Sequence, residues 1–173
     1  GLAEWGRVVD HRTYQISQMA NVDLYLESLM TLETLNDFGA DHIAIATGAK
    51  WKKDGIGRQN PLGIDIAAGA KILSPDDIMA GIELNDPVVV FDDDHFYMGG
   101  AIAEKLCRDG CEVTLVTPAA EVSSWTHNTL DQHAVQKQLM ELGVRVVTTH
   151  NLSAIRSNAV DLSCVYTEKI KTL

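Results

Sequence analysis

Apolar and polar positions along the chain follow first a helical rhythm and then a two-residue one. Residues 5–20, WGRVVDHRTYQISQMA, carry apolar side chains at Trp5, Val8, Val9, Ile16 and Met19, a loosely helical spacing. In residues 22–28, VDLYLES, Val22, Leu24 and Leu26 alternate with Asp23, Tyr25 and Glu27, which predicts a strand. TLETLNDFG then predicts a short helix closed by Gly39. Residues 41–51, DHIAIATGAKW, form a β-branched and alanine run that reads as a strand ending in Thr47-Gly48. Residues 50–73 are rich in glycine, hold no sustained period and read as loop.

The remainder is more regular. SPDDIMAG is a helix signal: Ser74 at the N-cap, Pro75 at the first helical position, Asp76 and Asp77 where the macrodipole favours anions, and Gly81 at the end. From there the predicted order is β-α-β-α-β. Strand 88–91 leads into helix 96–109, with Ala101, Ile102, Ala103 and Leu106 inward and Gly110 as the stop. Strand 111–117 leads into helix 127–143, with Leu130, Ala134, Val135, Leu139 and Leu142 on one stripe. Strand 144–150 follows. LSAIRSN and VDLSCVYTEKI then form two antiparallel strands around a turn at Ser157-Asn158. Strands alternating with helices predict an α/β fold with a parallel, right-handed, Rossmann-like βαβαβ sheet, the order of a mononucleotide-binding half.

Composition narrows the function classes. A formal net charge of −10 argues against nucleic acid and anionic membranes as partners, because both need Lys and Arg to neutralise phosphates. No run of 18 apolar residues is present and no export signal opens the chain, so a cytoplasmic location is expected. Cys107, Cys111 and Cys164 cannot all pair and lack a CxxC spacing, so they read as reduced thiols. On the same ground the Asn151-Leu-Ser153 sequon is a chance match. The opening GLAEWGRVVDHR and the closing CVYTEKIKTL read as the ends of a fragment, natural or prepared.

The segment VVVFDDDHFYMGGAIAEKL, residues 88–106, carries the chemistry to be explained. A dinucleotide fingerprint places three glycines after the first strand, for the tight turn, the close approach of the pyrophosphate and the packing of helix on strand. Here those positions hold Asp92, Asp94 and Tyr97; Gly99 and Gly100 come a turn into the helix. Three carboxylates in one turn repel a pyrophosphate and cap the free N–H groups themselves. The next strand ends in Thr117-Pro118, not in the acid that would hold a ribose or the Arg that would hold a 2′-phosphate. A self-capping or solvated acidic turn is the expected reading of DDDH; a metal site is the lesser one, because four adjacent residues do not converge on one ion without a specialised loop. His11, His42, His95, His127, His133 and His150 form no recognised catalytic grouping, and His127 with Trp125 is the one pair of interest.

DHIAIATGAKW resembles the Ala-Thr-Gly strand of flavoproteins with two dinucleotide-binding domains, in Asp41, Ile45, Ala46, Thr47, Gly48 and Ala49. With GLAEWGRVVDHRTYQI, VVVFDDDHFYMGGAIAEKL, EVTLV and HNTLDQHAVQKQLMELGV, nearly the whole chain resembles the C-terminal half of the iron–sulfur flavoenzymes related to 2,4-dienoyl-CoA reductase. The loss of the second glycine fingerprint points to the trimethylamine, dimethylamine and histamine dehydrogenase branch. The resemblance implies an FAD/NAD(P)-type two-dinucleotide-domain fold, incomplete at both ends. Residues 1–73 would belong to an ADP- or FAD-binding lobe, with Ala46, Thr47 and Gly48 beside the nucleotide, and residues 74–173 to a degenerate NAD(P)-like lobe without ligand. It further implies a parent enzyme with FMN and a 4Fe–4S cluster in a barrel, an amine substrate, an electron-transferring flavoprotein as acceptor and a homodimeric assembly. No catalytic or metal residue is expected in this stretch. An NADPH-dependent reductase of the dienoyl-CoA branch and a non-enzymatic docking module are the rival readings.

Overall fold

A computed structural model describes residues 2–84 and 87–173. The chain divides into two compact units, the first ending at Gly48 and the second beginning at Ala49.

The first unit holds α1 (Leu2–Ser17) and α2 (Leu32–Phe38). Thr31 caps α2 by accepting from the Thr34 N–H, and Gly39 closes it at φ 61°, the left-handed conformation that a glycine adopts without Cβ strain. The predicted strands 22–28 and 41–51 do not form: both stretches are irregular and exposed. A strand exists only by sharing hydrogen bonds with a neighbour. Among its described residues the first unit offers none, so alternation there has no sheet to act on. None of its described side chains is buried, and Leu26, Leu29, Leu32 and Ile45 are all more than 70% exposed.

The second unit is built on a parallel sheet. β2 (Val88–Phe91), β3 (Val113–Val116) and β4 (Arg145–Val147) lie side by side in that order, with Val88 opposite Val113 and Thr114 opposite Arg145. A mixed sheet runs β1-β5-β6-β7, from β1 (Asp65–Ile66), β5 (His150–Ile155), β6 (Val160–Cys164) and β7 (Ile170–Thr172). β1 pairs with β5 in parallel; β5, β6 and β7 are antiparallel, with the turn at Ser157-Asn158 as predicted. The stretch read as loop therefore contributes a strand, and the last predicted strand is two, β6 and β7.

Alternation in β2 sends successive side chains to opposite faces. Val88 and Val90 join a core with Ala103 and Leu106 of α4 (Met98–Arg108), Leu115, and Leu139 of α5 (Gln132–Glu141). Val89 and Phe91 pack on the other face with Val116, Leu152 and Leu162. Leu115, Leu139 and Leu162 are fully buried, each worth about 1.5–3 kcal/mol relative to exposure. α3 (Pro75–Met79) starts as predicted: the Ser74 N–H and hydroxyl both donate to the Asp77 carboxylate, at 2.6 and 2.8 Å.

Two helices differ from their predicted form. α4 begins at Met98, so Gly99 and Gly100 stand in its first turn, and Ala101 faces outward. The predicted helix 127–143 is interrupted. A 3-10 helix, Ser124–Thr129, ends at Leu130 with φ 66°, and α5 starts afresh at Gln132. Leu130 is 91% exposed and has left the apolar stripe.

Candidate functional site

The turn between β2 and α4 lies where an open α/β sheet receives its ligands, at the carboxyl ends of the parallel strands. The sequence DDDH folds here into three different environments. Asp92 is 1% exposed. Its Oδ1 accepts the His95 N–H at 3.1 Å, and its Oδ2 has no partner. Burial pushes the carboxyl above its ordinary value, against the lowering effect of the His95 N–H bond. Asp92 thus bonds within the turn and not to the N–H groups of the helix, so it neither caps α4 nor is solvated. Asp93 turns aside and accepts the Gln59 N–H on both oxygens at 3.2 Å. Asp94 is exposed.

The helix closes onto Asp92. A Cβ on Gly99 would stand 2.5 Å from the Asp92 Cγ, and one on Gly100 would stand 3.1 Å from Val135 and 3.2 Å from Ser123 Oγ. These glycines therefore serve close packing, and the space at Gly99 is filled by an aspartate. The Ser123 hydroxyl is buried without a partner as well.

His95 completes the filling. It adopts φ 63° and is 6% exposed. Its Nδ1 lies 3.4 Å from the Thr117 hydroxyl, at the end of β3 where a ribose would be read. Thr117 is fully buried. The His95 carbonyl accepts the Trp125 N–H at 2.9 Å, and the two rings lie 6.2 Å apart. Arg58 stacks on the outer face of Trp125, its guanidinium carbon 4.2 Å from the ring centroid. With Gln59 on Asp93, this places segment 57–60 over the turn. The pair to watch is thus Trp125 with His95; His127 is exposed and bonds to Glu121. The sequence signal for His95 was weak, since nothing in DDDHF distinguishes a buried histidine in the left-handed region from a surface one.

The remaining site candidates are dispersed. Ala46, Thr47 and Gly48 lie in an exposed irregular segment, with Gly48 at φ 74° and open space around its Cβ position. Among the described residues no three His, Cys, Asp or Glu side chains are grouped to hold a metal ion. The Cys107 thiol donates to the Leu142 carbonyl and that of Cys111 to the Leu84 carbonyl. Hydrogen bonds from the Thr167 hydroxyl and from the backbone of Tyr166 and Thr167 hold the Cys164 thiol below its ordinary value. An apolar groove of about 110 Å³ runs between α4 and α5 beside Gly100, smaller than the ~300–1,000 Å³ typical of ligand pockets. No helix among the described residues is long and apolar enough to cross a membrane.

The chain is 27% identical to dimethylamine dehydrogenase from Hyphomicrobium sp. (strain x), over 99% of its own length and 24% of that enzyme's. The structure superposes on histamine dehydrogenase from Rhizobium sp. 4-9 with a TM-score of 0.93 and 46% identity, covering 100% of this chain and 27% of that one. It superposes on 6-hydroxypseudooxynicotine amine oxidase from Pseudomonas geniculata N1 with a TM-score of 0.88 and 36% identity, covering 99% and 26%. The chain thus spans about a quarter of the length of these relatives. Residues 73–173 match the OYE-like second alpha/beta domain, and the chain belongs to that family, in the branch of the dimethylamine and histamine dehydrogenases.

Proposed function

We propose that this chain is the nucleotide-lobe region of an amine-oxidising flavoprotein dehydrogenase, and that its second lobe is scaffold that binds no nucleotide. The observation that carries the reading is the Asp92 carboxyl packed against Gly99, in the place where a dinucleotide-binding turn needs open backbone and donors. An NADPH-dependent reductase would need that place free.

The oxidation itself belongs to the rest of a longer protein. A 4Fe–4S cluster takes four thiolates; this chain has three cysteines, and two of their thiols donate to backbone carbonyls. Its residues do not fit the cluster. FMN and the cluster would reside outside this stretch and supply the electron transfer from the amine. Residues 1–73 would belong to the two-dinucleotide-type ADP or FAD lobe, with Ala46, Thr47 and Gly48 beside the diphosphate. Those three small residues leave room for backbone approach but bring no cation or buried donor, so the anchoring groups would come from elsewhere in that lobe. The exposed apolar side chains of the first unit suit a surface that packs against further protein. An electron-transferring flavoprotein as acceptor, a homodimeric assembly and a cytoplasmic location complete the proposal.

The test is anaerobic mixing of the intact protein with dimethylamine or histamine, and separately with NADPH. Bleaching of the flavin by an amine and not by NADPH is expected. Bleaching by NADPH with no response to amines would sink the reading.

A further inference from the structure

The amino end of α4 combines features that a structural turn does not require. The N–H groups of a helix's first turn have no partner within the helix, and they favour an anion. Tyr97 at the N-cap provides no side-chain cap and the first turn carries no acidic residue. Two consecutive glycines stand in that turn. Asp92 stands against Gly99, and Val135 and Ser123 stand against Gly100; Asp92 Oδ2 and Ser123 Oγ are both buried without a partner. Native structures leave few buried polar atoms unsatisfied, so two at one helix terminus call for an explanation.

We infer that the Asp92 side chain plugs the amino end of α4, and that Asp92 is the residue that denies the N–H groups there to a diphosphate. The inference rests on the proposed nucleotide-free second lobe and names the side chain responsible. Its neighbours are not equivalent to it. Asp93 is held away by the Gln59 N–H, and Asp94 is exposed to solvent, where salt screens its charge. Asp92 alone occupies volume against Gly99. It does so under strain of solvation, since burial disfavours its ionised form. Removing it would open the space against Gly99 beside the N–H groups of the first turn, and close backbone approach with such donors suits a phosphate group.

The test is calorimetric titration of the full chain with inorganic pyrophosphate, in wild type, Asp92→Ala and Asp92→Asn, with near-UV circular dichroism as the check on folding. Asp92→Asn keeps the shape of the side chain and guards against loss of the fold. Wild type is expected to show no saturation, Asp92→Ala at least tenfold tighter binding than wild type, and Asp92→Asn an intermediate gain from loss of charge alone. If both variants are folded and neither binds more tightly than wild type, the inference is overturned and the nucleotide-free reading of the lobe stands. If wild type itself saturates with NADPH, that reading fails and the inference with it.

Discussion

The Asp92 Cγ lies 2.5 Å from the position that a Cβ on Gly99 would occupy, and the Asp92 Cβ lies 2.6 Å from it. Both atoms belong to the root of a buried side chain that cannot swing away. Gly99→Ala is therefore expected to destabilise by about 1–3 kcal/mol, outweighing the ~1 kcal/mol that alanine gains over glycine in a helix. Asp92→Gly combined with Gly99→Ala should recover most of the loss. Gly57→Ala is the control: its Cβ would meet the Asp93 Oδ2 at 2.4 Å, but that atom ends a side chain able to rotate, so the cost should be well below that at Gly99. Urea denaturation of the three variants and wild type decides it, and equal losses at Gly57 and Gly99 would show the packing argument to be wrong.

Two aspartates should leave opposite marks on the pH dependence of stability. Asp77 is held at about 2, below its ordinary 3.8, first by Lys53 at 2.5 Å and then by the Ser74 N–H and hydroxyl. Its contribution is complete above 3.8 and is lost as pH falls towards about 2. Asp92 is shifted upward, so the folded chain takes up a proton that the unfolded chain has released, and stability falls as pH rises from 3.8 through the folded value. Asp77→Asn should lose stability at neutral pH and match wild type at the acid extreme. The stability of Asp92→Asn relative to wild type should grow as pH rises above 3.8. A flat difference across pH 3–7 for Asp92→Asn would refute the buried, poorly solvated carboxyl.

Which parts of this arrangement were legible beforehand follows from where the information resides. Strands 88–91 and 113–116 were readable because each packs side chains on both faces of the sheet and is apolar at every position but Thr114. Ser74 and Gly39 were readable because caps are local, set by a few neighbouring residues. Ala-Thr-Gly at 46–48 and the alternation at 22–28 have the composition of strands, but pairing is a property of a partner, which their own residues do not encode. The loss of the glycine fingerprint was visible in DDDHFY; that one aspartate is buried and another turned to Gln59 was not, because Gln59 and Gly99 meet the turn only in the folded chain. His95 and Trp125 stand 30 positions apart in sequence and are joined by a backbone hydrogen bond that no side-chain pattern records.

An amide pair is one of the tethers of the long segment 49–64. Asn60 Nδ2 donates to Asn151 Oδ1 at 3.2 Å and to the Leu152 carbonyl at 3.0 Å, while Asn151 Nδ2 donates back to Asn60 Oδ1 at 2.8 Å. Both side chains are half-buried, so removing one leaves the other's donors and acceptor poorly paired. Asn60→Ala is expected to cost about 1–3 kcal/mol, and the double variant with Asn151→Ala less than the sum of the singles. Additive losses in a double-mutant cycle would show that the amides do not interact.

Leu130 presents the opposite case, a residue whose replacement should help. It is 91% exposed, it sits at φ 66°, and its N–H donates to the His127 carbonyl to end the 3-10 helix. The left-handed conformation costs an L-residue roughly 1–2 kcal/mol through the clash of Cβ with the backbone. Glycine removes that clash but loses about 0.5–1 kcal/mol in the entropy of the unfolded chain. Leu130→Gly is thus expected to stabilise by about 0.5–1 kcal/mol. Leu130→Ala keeps the Cβ and the strain, and should leave stability nearly unchanged. The comparison isolates the backbone, since neither substitution removes a buried contact. A midpoint of thermal unfolding that falls for glycine and rises for alanine would mean that the segment relaxes into a continuous helix. That would restore the uninterrupted 127–143 pattern that the apolar stripe suggests.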